Sequence, residues 1–176
     1  MNPSIQKVIA AFLTLTLWAH IAYGAAPALE YQVKASYLYN FVRFITWPED
    51  TFANDGKFNL CVVGAELFGG ALDEFAGERV EGHTIVVRRL ERAAQARPAR
   101  CHLLFLASGV GQDEPASFSI ERGMLTVGES PGFLTRGGII NLVEVRGRIR
   151  FEINQAVAQQ AGLVISSRLL SLSKSQ

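Results

Sequence analysis

Hydrophobic and polar positions change their period along this chain, and each change marks an element. Residues 8–21 are almost continuously apolar. From 30 to 46 the spacing is helical, and Trp47-Pro48 is the stop, because the residue before a proline avoids helical geometry. On a wheel, Val33, Phe44, Tyr37, Phe41, Ile45, Leu38, Tyr31, Val42, Ala35 and Tyr39 sweep an apolar arc of roughly 240°, whereas a helix packed on one side needs little more than 100°. Gln32, Arg43, Ser36 and Asn40 hold the polar stripe. Such a helix is either covered on two sides within its own domain or meets a partner along its Tyr31-Ala35-Tyr39 edge.

Short β-rich runs follow at 58–63, 84–90, 102–106, 125–127, 139–143 and 149–153. Between them lie an amphipathic stretch at 66–75, a polar one at 91–97 stopped by Pro98, and a short one at 117–122. Strands that alternate with helical segments imply crossover connections and a largely parallel sheet covered on both faces. The apolar strings Leu60-Cys61-Val62-Val63 and Leu103-Leu104-Phe105-Leu106 suit strands buried on both sides. The last two runs are separated only by Glu144-Val145-Arg146-Gly147, too little chain for a crossover, so they form an antiparallel hairpin. Its second arm alternates Arg148, Arg150 and Glu152 with Ile149, Phe151 and Ile153, which places it at a sheet edge. Asn154 then caps a helix over 155–161, Gly162 supplies a left-handed stop, and 163–172 is an extended piece with a last helical turn or two. The predicted fold is α/β: a three-layer sandwich with a mostly parallel sheet of about six strands ending in the antiparallel hairpin, helices on both faces. Residues 25–176 carry no repeat or linker and read as a single domain.

Lys7 ahead of the first apolar run, and the small residues Ala22, Gly24 and Ala25 behind it, read as a cleavable signal peptide over 1–24. The alternative, a membrane anchor, needs an apolar run of about 20 residues. Loss of Lys7 leaves sixteen basic and sixteen acidic side chains. That balance argues against nucleic acid, which demands a basic surplus on one face. The clusters Arg88-Arg89 with Arg92 and Arg146-Arg148-Arg150 are interleaved with acids and read as solvated strand ends. Export also bears on the two cysteines, Cys61 and Cys101. In an oxidising compartment an even pair closes; the alternative is two thiols packed in the core.

Candidate chemistry is sparse. His83 and His102 lack further metal ligands at suitable spacing, and His102 beside Cys101 points to the opposite face of its strand. An enzyme would need a convergent set such as His102, Glu152 and Ser166, and no hydrolase, phosphate-loop or dinucleotide motif is present. No metal, cofactor or catalytic residue is expected. Gly128-Glu129-Ser130-Pro131-Gly132 leaves a strand as binding loops do, and also as ordinary turns do. Asn40, Asn141, Glu152 and Asn154 sit in apolar surroundings and need hydrogen-bond partners wherever they are buried.

The run from Tyr31 through Asn40 to Trp47-Pro48 resembles the opening of the YfiR family. Three further blocks are similar, in order: 58–64, 101–106, and 137–141 through 148–154 to 161–170. The resemblance implies a non-enzymatic periplasmic regulator that binds and restrains an inner-membrane signalling protein. Its partner would be the periplasmic portion of a diguanylate cyclase, which makes cyclic di-GMP and so controls biofilm, or of a sensor kinase. It also implies that Cys61 and Cys101 are bridged. The chain departs from the family's best-known member in lacking a second cysteine pair near the hairpin. The wide aromatic arc and the charged hairpin make Tyr31, Tyr39, Asn40, Arg148, Arg150, Glu152 and Asn154 the candidate contact residues for such a partner or ligand. A second reading is a small-ligand binding module with its pocket near 128–133 or under the first helix, and a homodimer stays open.

Overall fold

The structure is a computed structural model, and it describes residues 25–52, 56–109 and 119–173. The expected signal peptide over 1–24 lies outside the described residues, as do Ser117 and Phe118 of the short stretch before the fourth run. The first helix, α1 (Ala25–Phe44), is followed by β1 (Ile45–Thr46), β2 (Lys57–Val63), β3 (Arg79–Val80), β4 (His83–Leu90), β5 (Leu103–Leu106), β6 (Leu125–Gly128), β7 (Ile140–Val145) and β8 (Arg148–Ile153). The C-terminal part is α2 (Gln155–Gln160), β9 (Val164–Ile165) and α3 (Ser167–Leu172).

Seven strands make the main sheet in the order β3-β4-β2-β5-β6-β7-β8. The five from β4 to β7 run parallel, and β3 and β8 are antiparallel at the two edges. β5 and β6 are buried along their whole length, and β2 is buried from Phe58 on, as unbroken apolar strings require. One face carries α1, α2 and α3 over a core that includes Leu38, Phe41, Leu60, Phe105, Val127, Phe151 and Leu169. The other face packs Cys61, Leu104, Leu106, Ala96, Phe133 and Leu134 under short 3-10 turns at Ala93–Gln95 and Leu134–Arg136. The three layers are those expected, with turns standing where full crossover helices could have formed. The 66–75 stretch likewise breaks into 3-10 turns at Ala65–Phe68 and Asp73–Phe75, because Gly69 sits at φ 52° between them.

Two details differ from the helix expected over 30–46. It begins at Ala25, and it ends at Phe44 because Ile45 and Thr46 pair with Ile165 and Val164 instead. That two-stranded ladder ties the helix end to the C-terminus, and the Ser166 amide donates to the Phe44 carbonyl at 3.0 Å. At the other end of the sheet, Val145 pairs with Arg148 across a two-residue turn, Arg146 at φ 53° and Gly147 at φ 71°. Positive φ at both turn positions matches the twist of a tight hairpin.

Candidate functional site

The site grows from a lysine in the wrong place for a soluble helix. Lys34 falls in the middle of the apolar arc of α1 and is 5% exposed. Its ammonium contacts Glu30, one turn earlier, and Glu129, which follows β6 directly. The Glu129 carboxylate, with a side chain 6% exposed, also accepts from the Tyr31 hydroxyl at 2.8 Å and from the Ser108 amide at 2.8 Å. Lys34 Nζ lies 4.2 Å from the Tyr31 ring centroid. Burial, then the hydrogen bond to Glu129 and the charges of Glu129, Glu30 and Glu66, push the Tyr31 hydroxyl well above the usual tyrosine range. This network clamps the N-terminal half of α1 over the carboxyl ends of β5 and β6.

Tyr37 makes a second clamp: its hydroxyl donates to the Ile149 carbonyl at 3.1 Å, and its ring meets Phe151 at 5.6 Å. Between the two clamps lies a groove of about 700 Å³, lined on the helix side by Leu29, Glu30 and Val33 and on the hairpin side by Glu144, Ile149, Arg148 and Arg150. Leu29 is 62% exposed and Val33 40%. They lie at the border of the apolar arc opposite Tyr39, and Asn40 continues their stripe farther along the helix. A cavity of about 370 Å³ adjoins the groove, shares Glu30, Glu144 and Ile149 with it, and reaches inward to Ser108, Glu129 and Asn141.

The structure thus brings some of the candidate residues together and disperses the rest. Arg148 and Arg150 line the groove, and Tyr31 lies under its inner end. The Tyr31-Ala35-Tyr39 edge is covered within the chain, since Ala35 is buried, Tyr31 packs on Phe68 at 4.9 Å and Tyr39 stacks on Phe75 at 4.8 Å. Asn40 is exposed and donates to the Ser36 carbonyl at 2.9 Å. Asn154 caps α2 by accepting from the Val157 amide at 3.2 Å. Glu152 is half-buried opposite Asn141 in the hairpin register. Glu129 belongs to the 128–132 segment that reads as a candidate binding loop, whereas Ser108 and Leu29 carry no signal in the sequence. The position of Lys34 within the arc was the signal that a buried acid must exist, and nothing in the spacing said which one.

The residues considered for catalysis have structural partners. Cys61 and Cys101 form a disulfide with Cα atoms 5.7 Å apart, joining β2 to the residue two before β5. His102 accepts from the Asn59 amide at 2.8 Å and packs between Phe52 and Phe58. β6 and β7 lie between β5, which His102 precedes, and Glu152 on β8, while Ser166 caps α3 through the Leu169 amide at 3.2 Å. Phe133 fills the space beside two glycines, where a Cβ would come within 2.5 Å of its ring at Gly128 and 2.2 Å at Gly138. The 128–133 segment is therefore part of the core as much as a loop.

Among the described residues, no helix is long and apolar enough to cross a membrane. A family model described as YfiR/HmsC-like matches residues 31–174. No curated protein matches the chain. Among solved structures, a conserved domain protein from Vibrio cholerae O1 biovar El Tor is similar at 13% identity and a TM-score of 0.47, over 80% of this chain and 58% of that one. The chain thus spans less than two thirds of that protein's length.

Proposed function

Because the chain belongs to the YfiR/HmsC-like family, we propose that it is a non-enzymatic periplasmic regulatory protein. It binds the periplasmic portion of an inner-membrane diguanylate cyclase and holds that enzyme inactive. The observation that carries the choice of surface is the groove, where exposed Leu29 and Val33 face Arg148 and Arg150 across an open channel. Exposed apolar side chains rimmed by charge are a common composition for a protein contact. Arginine is favoured at such contacts because its planar fork pairs with carboxylates in two places at once. The buried clamp of Lys34 and Glu129 serves this reading by fixing the helix wall of the groove.

The test is signalling output. Val33→Asp and Arg150→Glu both alter exposed positions and leave the core intact. Each is expected to release the cyclase, raising cellular cyclic di-GMP several-fold toward the level of a strain lacking the protein. Output identical to the wild type, with both variants folded and present at normal abundance, would remove the groove from the mechanism.

A further inference from the structure

β6 and β7 stop pairing before β7 ends. Their last paired residues are Gly128 and Asn141, yet β7 continues to Val145. The chain after β6 turns away through Ser130 and Pro131, so among the described residues no strand lies beside the β6-facing edge of residues 142–144. The 370 Å³ cavity occupies that notch. Ser108, Glu129 and Pro131 form one wall, β7 the other, and Glu30, Tyr31 and Lys34 the roof. Its volume lies within the range of small-molecule sites, about 300–1,000 Å³. Its place, outside the carboxyl ends of parallel strands, is where open α/β sheets bind ligands.

The chemistry of the lining is one-sided. Three carboxylates, Glu30, Glu129 and Glu144, face a single cation, Lys34, and that cation is already shared between Glu30 and Glu129. Asn141, 6% exposed, lines the cavity, and its Oδ1 is buried with no hydrogen-bond partner among the described residues. A buried carbonyl without a donor is costly, and a bound donor would relieve it. Pro131, Leu142, Val143 and Ile149 supply apolar contact. A bare metal ion is a poor match, since no group of three metal-ligating side chains occurs among the described residues.

We propose that this cavity is a binding site for a small organic ammonium compound, its charged head among Glu30, Glu129 and Glu144 and its apolar portion against Leu142 and Ile149. The ammonium head brings three N–H donors to a wall of acceptors, and a carboxylate of the same shape is repelled. This site goes beyond the regulator reading and does not depend on it: the groove could fail to bind a membrane partner while the cavity still takes its ligand.

The experiment is calorimetry on the purified protein with phenethylamine and with 3-phenylpropionate, which share a ring and chain length and carry opposite charge. Saturable binding of phenethylamine, with a rise in melting temperature, and none of 3-phenylpropionate is the expected result. Glu144→Gln, at an exposed position, should weaken phenethylamine about threefold to fivefold, and Glu91→Gln, outside the cavity lining, should leave it unchanged. Three results would overturn the proposal: no heat with phenethylamine at millimolar concentration, equal binding of the two compounds, or an affinity indifferent to Glu144→Gln in a folded protein.

Discussion

A single lysine decides how the first helix is held. Placed at a core position, Lys34 has to find carboxylates or neutralise, and it finds Glu30 and Glu129. Removing one partner of a buried pair leaves the other charge uncompensated, so Lys34→Met should cost about 3–5 kcal/mol in denaturant unfolding. The double variant Lys34→Met with Glu129→Gln should recover much of that loss, and a double variant no better than the single one would show that the pair is not the unit of stability. Tyr31 adds a dependence on pH. Its hydroxyl is raised in the folded state, first by burial and then by Glu129, above the ordinary value of 10.0. The folded protein therefore holds that proton more tightly than the unfolded chain, and the contribution is complete below pH 10 and declines as pH rises above it. Alkaline unfolding should begin near that point in the wild type, and Tyr31→Phe should lack this component of the slope. Glu30 stands one helical turn before Lys34 in the sequence, but Glu129 lies 95 residues away and only the fold brings it near.

At the scale of elements, the six strand runs and the hairpin could be read from period and loop length, because burial on both faces and a two-residue turn leave strong local marks. β1 and β3 could not, and β9 was legible only as an extended piece: each is two residues long, and a ladder that short is set by its partner rather than by its own pattern. The same holds for the end of α1, where Ile45 and Thr46 continue the helical period yet pair with β9. The groove was legible on its hairpin side, through Arg148 and Arg150. On its helix side the Tyr31-Ala35-Tyr39 edge is covered within the chain, the first of the two alternatives, since a wheel shows how wide an apolar face is and not which border the fold leaves open. The disulfide joins elements that are neighbours in the sheet but 40 residues apart in sequence. Closing a loop of that length removes entropy from the unfolded chain worth about 4 kcal/mol. Cys61→Ser with Cys101→Ser should lower stability by up to that amount and leave the groove formed; an unchanged melting temperature would mean that the unfolded chain is already as restricted without the bond.

For the whole molecule, the sheet order and the helix clamp together produce a surface that neither would make alone. β8 at the sheet edge offers its arginines, α1 lies against it through Tyr37 and Phe41, and the clamp at Glu129 holds open the inner end. A regulator that acts by contact needs such a preformed surface, because rigid walls reduce the entropy lost on association. The claim that this surface meets a membrane signalling protein is tested most directly by placing a photo-crosslinking residue at position 33, irradiating intact cells, and identifying the adduct by mass spectrometry. The expected adduct is with the periplasmic portion of an inner-membrane diguanylate cyclase, lost when Arg150→Glu is added. Adducts only with soluble proteins or with a second copy of this chain, from a folded and abundant variant, would contradict it.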